Sequence, residues 1–214
     1  MIILPHSILM RCLISNKTEN GGRKTENMEE DLKKALDVLR NGGVILYPTD
    51  TIWGLGCDAT NEEAVARIYR IKKRSDSKSM LVLMENINLL ERYMEEVPRI
   101  AYDLIEVSDK PLTIIYPGAK NLAANLIAAD GTIGIRITGE SFTRQLIQRF
   151  RKPIVSTSAN ISGEASPATF AAISPEIREA VDYEVKYRQD ELAPASPSSI
   201  IKLGVGGEIE ILRN

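Results

Sequence analysis

Apolar positions along the chain change their spacing several times, and each change predicts an element. From Met28, the stretch MEEDLKKALDVLRNGG sets Leu32, Ala35, Leu36 and Leu39 at i, i+3, i+4 and i+7, one face of a helix. Acids crowd its first turn, and Gly42 and Gly43 close it. VILYP is then a continuous apolar run, read as a buried strand stopped by Pro48. Asn61 is placed to cap a helix whose face is Val65, Ile68 and Tyr69. MLVLM over 80–84 predicts a second buried strand, followed by helices around 87–94 and 98–107. LTIIY (112–116), TIGIRI (132–137) and PIVSTS (153–158) predict strands, with a helix at 141–150 before the last. A helix near 175–181 precedes a hairpin of SSIIKL and EIEIL turning at Gly204–Gly207.

Helices alternating with buried strands predict an α/β fold, a sheet covered by helices and made mixed by its antiparallel end. Residues 1–27 break the pattern: an apolar stretch interrupted by Pro5 and Arg11, then the polar NKTENGGRKTEN. They are expected to be an N-terminal extension, a disordered tail or non-native start, ahead of one folded domain at 28–214.

Composition narrows the chemistry. The chain has 214 residues, 43% hydrophobic, enough for one domain with a real core. Formal net charge is -2, so no global basic field advertises nucleic acid. Two cysteines, Cys12 and Cys57, make no disulfide framework and point to a reducing, cytoplasmic setting. No apolar run reaches membrane-spanning length, so no membrane partner is expected. The single histidine, His6, lies in the peripheral segment, which removes the central residue of Ser-His-Asp and histidine-metal mechanisms. No protein-held metal centre is expected.

Four segments carry candidate chemistry, although no GxxxxGK[ST] or GxGxxG is present. PTDTIWGLGCDA puts Thr49, Asp50 and Thr51 at a strand end, where open α/β sheets bind ligands, and Gly54 and Gly56 allow close approach. Trp53 reads as a core or pocket-wall ring. Lys72, Lys73, Arg74 and Lys78 gather where a helix gives way to a loop. They are either cations complementing the helix dipole or a polyphosphate clamp. Arg136 lies on a half-buried strand and needs an anion, either a structural acid or a substrate carboxylate. PIVSTSANISGEASP runs a strand into Ser156, Thr157, Ser158, Asn160, Ser162 and Ser166, a simple loop or a cradle for a polar ligand.

PTDTIWGLGCDA, the K-x-R of Lys72 and Arg74, PLT at 111–113, TIGIRI and STSANISG together resemble the Sua5/YrdC/YciO family, the L-threonylcarbamoyladenylate synthases, in order and spacing. The resemblance runs from Met28 to the C-terminus. It implies a YrdC-type twisted mixed β-sheet flanked by helices, with a large concave groove. It implies a nucleotidyltransferase reaction: L-threonine, bicarbonate and ATP give threonylcarbamoyl-AMP, pyrophosphate and water. A threonylcarbamoyl transferase complex then modifies adenosine beside the anticodon of tRNA.

By matching position, Thr51, Arg136, Ser156 and Ser198 would bind threonine. Lys72, Arg74, Lys78, Thr132, Ser158, Asn160, Ser166 and Arg213 would bind ATP, with Lys72 and Arg74 catalytic. Mg²⁺ would be held mainly by the ATP phosphates. Ser75 replaces a frequent proline, and SDKPLT a common WPGPLT, departures that touch loop rigidity. The competing class is a non-catalytic module for double-stranded RNA or tRNA using the same concavity; its affinity would fall steeply with salt.

Overall fold

A computed structural model of the protein describes residues 27–74, 80–193 and 195–214. The expectations for residues 1–26, including His6 and Cys12, and for Ser75 and Lys78 lie outside them. Helix α1 covers 27–40. Strands β1 (Ile45–Tyr47) and β2 (Gly54–Gly56) follow, then α2 (Glu62–Ile71) and β3 (Leu81–Met84). A 3-10 turn at Ile87–Leu89 runs into the single-turn α3 (Leu90–Tyr93), ahead of α4 (Arg99–Glu106) and β4 (Leu112–Tyr116). Next come β5 (Ile133–Ile137), α5 (Ser141–Phe150) and β6 (Ile154–Ser158). Helix α6 (Pro175–Glu179), the short β7 (Tyr183–Glu184) and the hairpin of β8 (Ser199–Leu203) and β9 (Ile209–Arg213) complete the described chain.

The strands form one mixed sheet in the order β7-β1-β2-β6-β3-β5-β4-β8-β9. Alternation along each strand divides its side chains between two faces. One face carries Val82, Met84, Ile114, Ile133, Ile135 and Val155, and buries them against Val65 and Ile68 of α2, Leu90 of α3 and Ala101 of α4. The other carries Ile45, Tyr47, Leu83 and Ile154 under Leu32, Ala35 and Leu39 of α1 and Phe142, Leu146 and Ile147 of α5. Across β4, β5 and β8 this second face presents Thr113, Ile115, Gly134, Arg136 and Ile200 to a cavity.

Local rules explain the helix ends. Asn61 Oδ1 accepts from the backbone N–H groups of Glu63 and Ala64 at the start of α2. Glu140 caps α5 by accepting from Thr143 N at 2.7 Å, and Arg151 ends it in the left-handed conformation, φ 61°. The predicted helix at 87–94 is instead the 3-10 turn plus α3. Two strands were not anticipated. GLG at Gly54–Gly56 is a strand because β1 and β6 pair with it on both sides. Gly56 answers to packing: a Cβ there would stand 2.5 Å from the Tyr47 ring and 2.9 Å from Val155 O. Strand β7 pairs in parallel with β1 through only two residues, too short for any periodic signal.

Candidate functional site

The cavity on the second sheet face measures about 310 Å³. Its deep end is built by Arg136. Strand alternation sends this side chain away from Ile135 and Ile137, and it is buried. Its Nη2 lies 2.9 Å from Asp50 Oδ1 and donates to Thr51 Oγ1 at 3.3 Å. Burial lowers the pKa of the guanidinium, and Asp50 works in the opposite direction. Of the two anions the sequence allowed, the protein itself supplies one, and Arg136 still lines the cavity.

The three residues at the end of β1 have distinct tasks. Thr49 Oγ1 donates to Ile52 O at 2.7 Å, accepts from Thr51 N, and lies 3.0 Å from Thr51 Oγ1. With its own proton on Ile52 O, it accepts that of Thr51. Thr51 is then left with acceptor capacity, part of it used by Arg136. Asp50 holds Arg136, and Thr51 faces the cavity. Gly54, Ser156 and Trp53 line it beside them, with the Trp53 ring packed on Phe170 at a centroid distance of 4.9 Å.

Ser198, just before β8, lines the cavity on the β4 side. Its Oγ lies 2.8 Å from Thr113 Oγ1, and Arg213 Nε donates to Ser198 O at 2.7 Å. Thr113 is paired across the ladder with Arg136 on one side and Ile200 on the other, and Ile200 with Arg213. The two arginines thus share one row of the sheet, with Thr113 between them. Arg74, Thr132, Ser158 and Ser166 line the remainder of the cavity. Thr132 Oγ1 donates to Asp130 at 2.6 Å.

Lys72 and Asn160 are not in the cavity wall. Lys72 is 1% exposed; its Nζ donates to Ser158 O and, at 2.6 Å, to Asn160 O. Burial, with Arg74 nearby, pulls its amine down to about 8. Asn160 Nδ2 donates to Ile161 O and Glu164 O, both at 2.9 Å. The K-x-R and S-x-N segments are therefore joined, with Lys72 strapping the serine-rich loop from behind, while Arg74 and Ser158 reach the cavity. The helix-end reading describes Lys73, which takes a left-handed φ of 49° and pairs with Glu176 in solvent.

Thr113 and Gly134 belong to the cavity but were not singled out from sequence. Gly134 shares the strand parity that places Arg136, whereas Thr113 meets Arg136 only through the β4–β5 register. Among the described residues the cavity wall contains Arg74, Arg136 and Arg213 and no carboxylate, an arrangement suited to anions.

Residues 37–214 match the family model named for Sua5, YciO and YrdC, whose description is "Telomere recombination". The chain is 32% identical over 184 residues to the threonylcarbamoyl-AMP synthase of Pseudoalteromonas translucida, across 85% of this chain and 97% of that protein. It is 30% identical over 216 residues to the threonylcarbamoyl-AMP synthase of Rattus norvegicus, across 99% and 76%. The crystal structure of P. abyssi Sua5 complexed with L-threonine matches with a TM-score of 0.72 at 25% identity, over 80% of this chain. This chain spans 50% of the length of that one.

Proposed function

Because the chain belongs to the Sua5/YciO/YrdC family, we propose that it is an L-threonylcarbamoyladenylate synthase serving the threonylcarbamoyladenosine modification of tRNA. The observation that carries this reading is that a hydroxyl-lined arginine, Arg136, and a second cationic region around Arg74 line one and the same cavity.

The reaction uses this arrangement for positioning and charge neutralisation. The α-amino nitrogen of threonine attacks the carbon of bicarbonate, and water leaves as the carbamate forms. A carbamate oxygen then bonds to the α-phosphorus of ATP, while the bond to the bridging oxygen breaks and its electron pair leaves with pyrophosphate. Arg136 binds the threonine carboxylate, with Thr51, Ser156 and Ser198 around the rest of the amino acid. Arg74, Thr132, Ser158 and Ser166 bind the nucleotide, and Arg213 reaches it from β9. Lys72 and Asn160 fix the loop carrying Ser158. Mg²⁺ would be held mainly by the ATP phosphates, since the described wall offers no carboxylate, and would supply charge neutralisation on the triphosphate. No protein nucleophile takes part. Cys57 is buried away from the cavity, and burial raises its thiol pKa.

The test is pyrophosphate release. It should require ATP, threonine and bicarbonate together, and equal release without threonine would sink the synthase reading. The product would pass to a transferase complex that modifies tRNA.

A further inference from the structure

Gly134 is the second residue of β5, inside a strand, where glycine weakens pairing. Nothing among the described residues requires glycine there. Its φ is not in the left-handed region. A Cβ would lie 3.4 Å from Thr113 Cγ2, 3.6 Å from Leu81 Cβ and 3.8 Å from Ile115 Cγ1, ordinary van der Waals distances. Gly56 is the contrast, since its added Cβ would strike Tyr47 at 2.5 Å. The space above Gly134 is the cavity itself.

Thr132, Gly134 and Arg136 project to one face of the chain at intervals of about 6.7 Å, twice the rise of a strand residue. Arg136 and Thr51 make one end of the cavity, and Thr132 stands toward the other. Gly134 is the midpoint. We propose that Gly134 is a positioning residue, the bare floor beneath the junction where the amino-acid carbamate meets the α-phosphate of ATP. This rests on the synthase reading and adds to it the place where the two substrates touch. The carbamate oxygen must reach the α-phosphorus in line with the departing pyrophosphate oxygen. A methyl group at residue 134 would stand under that contact. Each substrate alone could still settle around it, and the two together could not.

Gly134→Ala tests this by calorimetry with threonine and a non-hydrolysable ATP analogue. Each ligand alone should bind the variant within about threefold of the unaltered protein. Threonine affinity at saturating analogue should fall by about tenfold or more in the variant only, and turnover by about 100-fold, the scale of a 1 Å misplacement. The melting temperature should not fall, because the added Cβ meets only ordinary contacts. Unchanged ternary affinity and turnover would overturn the proposal. Loss of one substrate in the binary measurement would place Gly134 under that substrate alone, and a lower melting temperature would mean packing requires the glycine; either overturns it too. If the unaltered protein binds both ligands but releases no pyrophosphate, the synthase reading fails, while the ternary measurement still decides where the ligands meet.

Discussion

Thr113 Oγ1 and Ser198 Oγ lie 2.8 Å apart, both buried, although 85 positions separate them in sequence. The bond joins β4 to the segment entering its neighbour β8. It also reaches Arg213, whose Nη2 is 3.4 Å from the same Ser198 oxygen. The Thr113 hydroxyl thus orients Ser198 in the cavity wall and, through it, an arginine from β9.

Removing that hydroxyl should loosen both. Thr113→Val keeps the shape but leaves Ser198 short of a partner, a loss of about 1 kcal/mol in stability for one buried hydrogen bond. The Michaelis constant for threonine should rise about tenfold, the equivalent of 1.4 kcal/mol, with a smaller change for ATP. Thr113→Ser should restore the value. Kinetics and melting curves for the two variants decide it; equal behaviour of valine and serine at this position would show that the hydroxyl positions nothing.

Lys72 and Arg74 should separate, although they are two residues apart. Lys72→Met leaves the carbonyls of Ser158 and Asn160 without their shared donor, so melting temperature and turnover should both fall. Arg74 faces the cavity, and Arg74→Ala should cost turnover by tens-fold, about 2 kcal/mol for a charge-assisted contact, with a smaller fall in melting temperature than Lys72→Met. Full activity in Arg74→Ala would remove it from the phosphate site.

The buried amine of Lys72 also predicts a pH signature. Its folded value, about 8, is below its ordinary value of 10.5. Between those two the unfolded chain holds more protons, so this residue makes stability rise as pH increases through that window. Below about pH 8 the cost of burying the charge is fully present. The melting temperature of the parent should therefore gain on that of Lys72→Met between pH 8 and 10. A constant difference would mean that the two carbonyl acceptors hold the proton as firmly as water does.

Much of this arrangement was legible in the sequence, and the exceptions share a cause. Helix α5 was bounded correctly because its apolar face and its ends agree. Arg136 was legible because alternation along β5 leaves one polar side chain among isoleucines. Strand β2 was hidden, since two glycines around one leucine carry no period, and only β1 and β6 together make it a strand. Lys72 was read either as a helix-end cation or as part of a phosphate clamp, both of which face outward. A lysine ending a helix turns inward or outward according to what lies behind it, and here that is a loop more than 80 residues later. The Thr113–Ser198 bond has the same character: both residues were visible in the chain, and their meeting is a property of the sheet.

Substrate choice gives the most demanding test of the pocket. With Thr49 donating to Ile52 O, the Thr51 hydroxyl donates to Thr49 and accepts from Arg136, so toward a ligand it offers an acceptor. A threonine hydroxyl can donate to it; valine, which has the same shape, cannot. A site built to hydrogen-bond a hydroxyl rejects the analogue lacking it by up to about 10⁴-fold, because its buried partner stays unpaired. A missing methyl costs less, roughly 1–3 kcal/mol of apolar contact. Serine should therefore be a poor but measurable substrate and valine close to inert. On the proposed reading Arg136 would hold the carboxylate common to all three, so Arg136→Ala should raise the Michaelis constant for threonine and serine alike, and more than that for ATP. Because the variant also strands Asp50, Arg136→Lys is the companion that keeps a cation beside it. The measurement is kcat/KM for the three amino acids at saturating ATP and bicarbonate. Valine turning over as well as serine would mean that the pocket reads shape alone, and the acceptor on Thr51 would have no part in recognition.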